Sequence, residues 1–271
     1  MISDITFGQY YPSKSVLHKA DPRMKLLLTF ITIIFLFVCK NFLSLAVMAF
    51  ITVLAVAVSG VPLKTILKSI RPVLIILVFT AALNIFYTKG GEVYYEFWKI
   101  QVTEKGVNTA IFTIIRIVIL VVLSSLLTYT TTPTDLTTGL ERLLSPLNLL
   151  HIKVHTLAMM MTLALRFIPT LIEEIERIMN AQKARGADLE TGSLVQRAKA
   201  LIPIFVPLMV SSFRRAYELA FAMTCRCYTG GEGRTRMKQM KLSARDFVLL
   251  FICLAACAGV VVLNIFFKAV I

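Results

Sequence analysis

The chain has 271 residues, 57% of them hydrophobic, and 29 Lys and Arg against 15 Asp and Glu give a formal charge of +14. Soluble domains run at roughly 45–50% apolar residues, so a mean hydropathy of +0.78 excludes an ordinary soluble globule and points to a membrane protein. In that setting a basic excess marks cytoplasmic loops rather than a nucleic-acid surface, and five cysteines without a Cys-x-x-Cys spacing offer no zinc ribbon.

The first 20 residues, with Asp4, Lys14, His18 and Lys19, are too polar for the apolar core of a cleavable signal. Five apolar segments follow: Leu26–Cys39, Phe42–Ser59, Val73–Tyr87, Val107–Tyr129 and Phe247–Phe267. A spanning helix needs about 20 apolar residues. The fourth and fifth segments meet that length, whereas the first and third are short and suit a re-entrant path or a locally thinned bilayer. Basic residues set the direction. Lys14, Lys19, Arg23 and Lys25 precede the first segment, and Lys64, Lys68 and Arg71 lie between the second and third. Sixteen Lys and Arg lie between the fourth and fifth. The positive-inside rule therefore places the N-terminus and residues 132–245 in the cytoplasm, with residues 1–131 and 246–271 carrying the spans. The outer loop "KGGEVYYEFWK" holds the single Trp and two Tyr, which suits a headgroup belt. Arg116 is the one charge well inside a span. Such residues are costly and often functional; packing or a membrane partner is one reading, a backbone-carbonyl or headgroup contact the other.

The segment 132–245 is too long for a plain loop. Pro133 and Thr134 read as a helix start, with Leu136, Leu140, Leu143 and Leu144 as its apolar stripe and Pro146 as its stop. A helix follows from Val154 to Arg185. Its first half is apolar nearly all round. In its second half Leu171, Ile172, Ile175, Ile178 and Met179 face one way, while Glu173, Glu174, Glu176, Arg177 and Lys183 mostly face the other. Pro169 predicts a kink between the halves. His151 and His155 share a face, yet two further ligands for a metal are missing. A second helix is predicted from Gln196 to Arg226, irregular near Pro203 and Pro207, with Arg214 and Arg215 in its charged middle. Each helix reads as too apolar for cytosol and too charged to span, which leaves the membrane surface, the other helix or a protein partner.

Both helices end on an arginine. The last four carbonyls of a helix lack partners and carry partial negative charge. A cation there gains about 0.3–1 kcal/mol, and Gly186 suits the left-handed turn that follows. Capping accounts for one such arginine. Two of them on paired helices favour docking, because guanidinium offers five planar donors to carboxylates or carbonyls in a groove.

These motifs carry a family resemblance over nearly the whole chain. "GQYYPSKSVLHKADPRMKL" resembles the Asp-Pro-Arg-x-Lys approach to the first span of the transmembrane (T) component of energy-coupling factor vitamin transporters. "TTPTDLTTGLERLLSPL" is similar to that family's first coupling segment, "ALRFIPTLIEEIERIMNAQKARG" to its first Ala-Arg-Gly helix, and "AMTCRCYTGGEGRT" to its second. The resemblance implies an all-α membrane protein with about five transmembrane helices and long amphipathic coupling helices between the fourth and fifth. It implies a non-catalytic subunit of the shared-module type, with two ABC-type ATPase subunits and a membrane-embedded substrate-binding (S) component as partners. ATP and magnesium would be bound by the partner subunits, with no cofactor in this chain. It assigns ATPase docking to Ala184, Arg185, Gly186, Cys225, Arg226 and Cys227. The coupling-helix surface would comprise Glu173, Glu174, Arg177, Arg214 and Arg215. Cys225 and Cys227 depart from the family's usual alanine and glycine. Since cysteine adopts a left-handed cap at greater cost than glycine, an end nearer Gly230 and Gly231 is the alternative to one at Arg226.

Other function classes find less support. The sequence has no G-x-x-x-x-G-K-[ST] phosphate loop and no nucleophile, base and orienter together. A self-contained secondary transporter needs polar groups near the midplane, where the spans offer only Arg116 and Asn84. A nucleic-acid binder is disfavoured because acids interleave with the basic residues. A dedicated cobalt or nickel T component is the alternative within the family.

Overall fold

The computed structural model describes residues 10–13, 15–88, 90, 93–97, 100–150, 153–187, 193–230, 240 and 242–267. His151, Trp98 and Gly231 lie outside them. Two compact units form, one from residues 8–142 with 238–271 and the other chiefly from residues 143–237.

In the first unit, α1 (Val16–Lys19) and α2 (Pro22–Val38) meet at a sharp turn. Asp21 caps α2 by accepting the Arg23 N–H at 2.9 Å, and Pro22 supplies a pre-set φ where no intrahelical donor is needed. Next comes α3 (Phe42–Ser59), which ends on Gly60 at φ +68°. A Cβ at Gly60 would lie 2.8 Å from the Ser13 hydroxyl, so glycine is required there for both space and conformation. α4 (Leu63–Ile70) passes through a 3-10 turn into α5 (Leu74–Tyr87). A two-stranded antiparallel hairpin, β1 (Val93–Phe97) and β2 (Ile100–Thr103), then leads into the 27-residue α6 (Glu104–Thr130). α7 (Pro133–Leu143) follows.

α6 is the central post of this unit and packs against α2, α3, α4 and α5. One core joins Leu36, Cys39, Leu45, Met48, Phe112, Ile119, Leu123 and Val260; a second joins Val61, Ile66, Val122 and Tyr129. The outward faces are equally apolar: Ile75 is 81% and Phe79 65% exposed, one turn apart on α5. In water such a stripe would drive association; against acyl chains it is the required surface.

The second unit holds a 3-10 segment (Ser145–Leu150), α8 (Val154–Ala184) and α9 (Leu194–Cys225). The chain returns to the first unit as α10 (Ala244–Phe266). α8 and α9 run antiparallel. Tyr228, just past α9, donates its hydroxyl to Met159 Sδ at 3.0 Å, Arg215 meets Glu174 at 2.6 Å, and Gln182 Nε2 donates to the Pro203 carbonyl at 3.4 Å. As one position rises the other falls in step. Pro169, Pro203 and Pro207 all sit inside helices that continue through them.

Among the described residues, five helical stretches are long and apolar enough to cross a membrane: Phe42–Ser59, Leu63–Tyr87, Glu104–Thr130, Val154–Ala184 and Ala244–Phe266. The chain is thus an all-α, multi-pass membrane protein with one small hairpin. The set differs from the predicted one in three ways. The first predicted span is α2, which has only 17 residues. The third is lengthened because helical structure begins at Leu63 and takes in Lys64, Lys68 and Arg71, which lie between the predicted second and third spans. The set also includes the predicted amphipathic helix at 154–185, which qualifies by length and composition because Val154–Leu171 holds a single charged residue, Arg166.

Candidate functional site

The two arginine-tipped helix ends have the same backbone design. α8 stops at Ala184, with Arg185 as its cap residue at φ −87° and ψ 6°. Gly186 follows at φ +85°. Its N–H donates to the Lys183 carbonyl at 3.0 Å, and the Ala187 N–H reaches back to the Gln182 carbonyl at 3.0 Å. That pair of bonds is a Schellman motif, which satisfies two carbonyls the helix leaves open.

α9 stops at Cys225, with Arg226 as its cap residue at φ −93° and ψ 19°. Cys227 adopts φ +55°, the only positive φ among the described non-glycine residues. Its N–H donates to the Thr224 carbonyl at 2.9 Å, and the Tyr228 N–H to the Met223 carbonyl at 3.0 Å. The helix thus ends at the predicted Arg226, and the alternative end nearer Gly230 and Gly231 is corrected. The cysteine takes the left-handed position itself, and Arg226 occupies the same place in its turn as Arg185. A left-handed residue other than glycine costs roughly 1–2 kcal/mol, and two carbonyl-satisfying bonds offset it.

Cys227→Gly should remove that cost. We expect the amides of residues 227 and 228 to exchange with solvent about fivefold more slowly, the equivalent of about 1 kcal/mol. Unchanged exchange would mean that Cys227 carries no strain.

Arg185, Arg226, Cys225 and Cys227 are all exposed. Among the described residues neither guanidinium makes a hydrogen bond or ion pair, so both are presented rather than consumed. Because α8 and α9 are antiparallel, the two arginines lie at opposite ends of the pair. Twenty-odd residues of helix separate them, on the order of 35 Å at 1.5 Å per residue. Of the predicted charged surface, Glu173, Arg177 and Arg214 stand exposed, while Glu174 and Arg215 pair with each other and lock the helices together. On α9, Ile204 and Ser211 are buried on the side of Arg215. Ile202, Val206, Val210, Phe213, Tyr217 and Phe221 form an exposed stripe on the opposite side, at the 3.6-residue period.

A model of the family described as "Cobalt transport protein" (CbiQ) matches residues 13–237, which include both arginine turns. The energy-coupling factor transporter transmembrane protein EcfT of Ruminiclostridium cellulolyticum is 46% identical over 267 residues, 98% of this chain and 100% of that relative. The chain belongs to the EcfT/CbiQ family. Further EcfT proteins match similarly. That of Brevibacillus brevis is 51% identical over 249 residues, 92% of this chain and 94% of the relative. That of Bacillus subtilis is 41% identical over 258 residues, 94% and 97% of the two chains. The resemblance drawn from the sequence motifs thus holds over almost the full length of this EcfT/CbiQ family member.

Arg116 has a definite place. Its Nη2 donates to the Cys39 carbonyl at 2.7 Å, at the end of α2, and its guanidinium stacks 4.7 Å above the buried Phe112 ring. It is a packing and capping contact within the unit. Among the described residues no three metal-binding side chains gather at one point.

The sequence reading missed a polar node at the start of α2. Lys25 is 6% exposed, and its ammonium donates to the carbonyls of Thr130 at 2.9 Å and His18 at 3.2 Å. It also reaches Thr131 Oγ1 at 3.5 Å. Asp246, 1% exposed, accepts the Asp21 N–H at 3.0 Å and the Ser243 N–H at 2.8 Å. Lys25 precedes the apolar run that begins at Leu26. Burial pushes its ammonium down to about 8, against the opposing pull of Asp135, Asp246 and Asp21. The Asp-Pro-Arg-x-Lys spelling was the available signal. Its partner Asp246 lies too far along the chain for spacing to reveal.

Proposed function

We propose that this chain is the transmembrane coupling subunit of an energy-coupling factor importer. In this reading each exposed arginine inserts into a groove on one of two ABC-type ATPase subunits. The antiparallel α8–α9 pair passes their ATP-driven motion to a membrane-embedded substrate-binding component, which releases a vitamin inside the cell. The N-terminus and residues 132–245 face the cytoplasm. ATP and magnesium belong to the ATPases.

The observation that carries the reading is the pair of like-built arginine turns at opposite ends of one helix pair, both exposed. A single ATPase would need one such plug; two plugs held far apart suit two subunits. The cap residue also fixes the backbone from which each guanidinium projects, so rigid helices transmit force directly to it.

The matching family's name, cobalt transport protein, favours cobalt as an alternative cargo, whereas the relatives are energy-coupling factor transporter proteins. Mild solubilisation of the tagged chain from its native membrane, followed by affinity purification, tests both. The proposed function requires two ATPase chains and a small hydrophobic membrane protein to co-purify. Recovery of the chain alone, with transport activity of its own after reconstitution, would overturn it. Metal-specific membrane partners would select the cobalt or nickel alternative.

A further inference from the structure

Four helix ends meet at the Lys25–Asp246 node. The N-termini of α2 and α10 carry partial positive charge, and the buried carboxylates of Asp21 and Asp246 sit on them. The C-termini of α1 and α6 carry partial negative charge, and the Lys25 ammonium donates to a carbonyl of each: His18, one residue before the end of α1, and Thr130, the last residue of α6. α7 joins from the side. A Cβ on Gly139 would meet Pro22 Cβ at 3.2 Å and the Arg23 nitrogen at 3.3 Å, so α7 rests directly on the first turn of α2.

Chain order gives this arrangement its meaning. After α6 and α7 the chain departs into residues 143–237, the segment assigned above to coupling, and it returns just before α10. Departure and return are both fastened to α2 by the same buried cluster. We propose that Lys25, with Asp21 and Asp246, is a positioning node that ties to α2 the two helices flanking the 143–237 segment, α6 before it and α10 after it, so that motion passed to those helices along the chain moves α2 and α10 together. The inference rests on the coupling function and adds the residues through which motion enters the membrane helices.

The chemistry suits a stiff joint. Charge-assisted hydrogen bonds are roughly twice as strong as neutral ones, and removing one partner leaves buried carbonyls unpaired. Lys25→Met keeps the length of the side chain and removes every donor. Asp246→Asn keeps the shape and removes the charge shared by two helix starts. Lys25→Arg keeps charge and donors, and a cavity of about 230 Å³ beside Lys25, bordered by Tyr10, His18 and Thr132, has room for the larger head.

The test is hydrogen–deuterium exchange on the whole complex in lipid nanodiscs, with and without a non-hydrolysable ATP analogue. In the unaltered complex the analogue should change exchange in α8 and α9 and also in the first turns of α2 and α10. In Lys25→Met and Asp246→Asn the complex should assemble and the change in α8 and α9 should persist. The change in α2 and α10 should be lost, on a basal exchange about tenfold faster. Lys25→Arg should restore it. A response in α2 and α10 that survives both variants would overturn the node. So would its loss together with that in α8 and α9, or a failure of both variants to assemble, since each would leave only a structural role. Absence of any nucleotide response in α8 and α9 of the unaltered complex would instead overturn the coupling function itself.

Discussion

Alanine at Arg185 is expected to weaken binding of the ATPase subunits by about thirtyfold or more, since truncating one partner of a buried, hydrogen-bonded charge pair costs about 2–5 kcal/mol. Lysine should do nearly as much damage. It keeps the charge but replaces a rigid planar fork by a single rotating ammonium. The size of the effect separates docking from capping. A cation at an exposed helix end is worth about 0.3–1 kcal/mol, a factor of about two to five, and lysine would retain it. Arg226 should behave alike, because its cap residue has nearly the same backbone angles as that of α8. Titration of the ATPases onto the chain in nanodiscs measures the affinity directly. Full affinity in the lysine variants would leave the two arginines with a dipole role alone.

The helices bearing these arginines were legible because their apolar residues recur at helical spacing and their ends carry turn chemistry. Val154 as the start of α8, Pro133 as the start of α7 and the stop before Gly186 all follow from local rules. The end of α9 at Arg226 followed from the same spacing, but the left-handed Cys227 after it did not, since the preference for glycine at such a position is statistical, and the bonds from Cys227 and Tyr228 to the preceding turn outweigh it. The continuation of α4 into α5 was hidden by charge. Lys64 and Lys68 read as loop residues, yet they fit an amphipathic helix whose Ile66 is buried. The β1–β2 hairpin lies in a stretch whose Tyr and Trp suggested only a headgroup belt. The node at Lys25 needed information that spacing does not hold, because its carboxylate comes from the opposite end of the chain.

The thiols beside Arg226 give a second large expected effect. Cys225 and Cys227 are exposed in the chain by itself, whereas Cys39 and Cys257 are buried and Cys253 is half-buried within apolar helices. A polar maleimide reacts with a thiol that water reaches. The pair should therefore label readily in the isolated chain, and the other three should resist and serve as internal controls. If Arg226 inserts into an ATPase groove, the residues on either side of it must enter the interface with it. With the ATPases at about 100 times their Kd only about 1% of the chain is free, so labelling of the pair should slow by about a hundredfold. Mass spectrometry of the labelled peptides reads each cysteine separately. An Arg226→Ala chain, if weakened about thirtyfold, should keep only about fourfold protection or less at the same ATPase concentration while its thiols label as before in isolation, which ties the protection to the guanidinium. Equal labelling with and without the ATPases would place the end of α9 outside the interface. The docking mechanism would then retain Arg185 as its only contact.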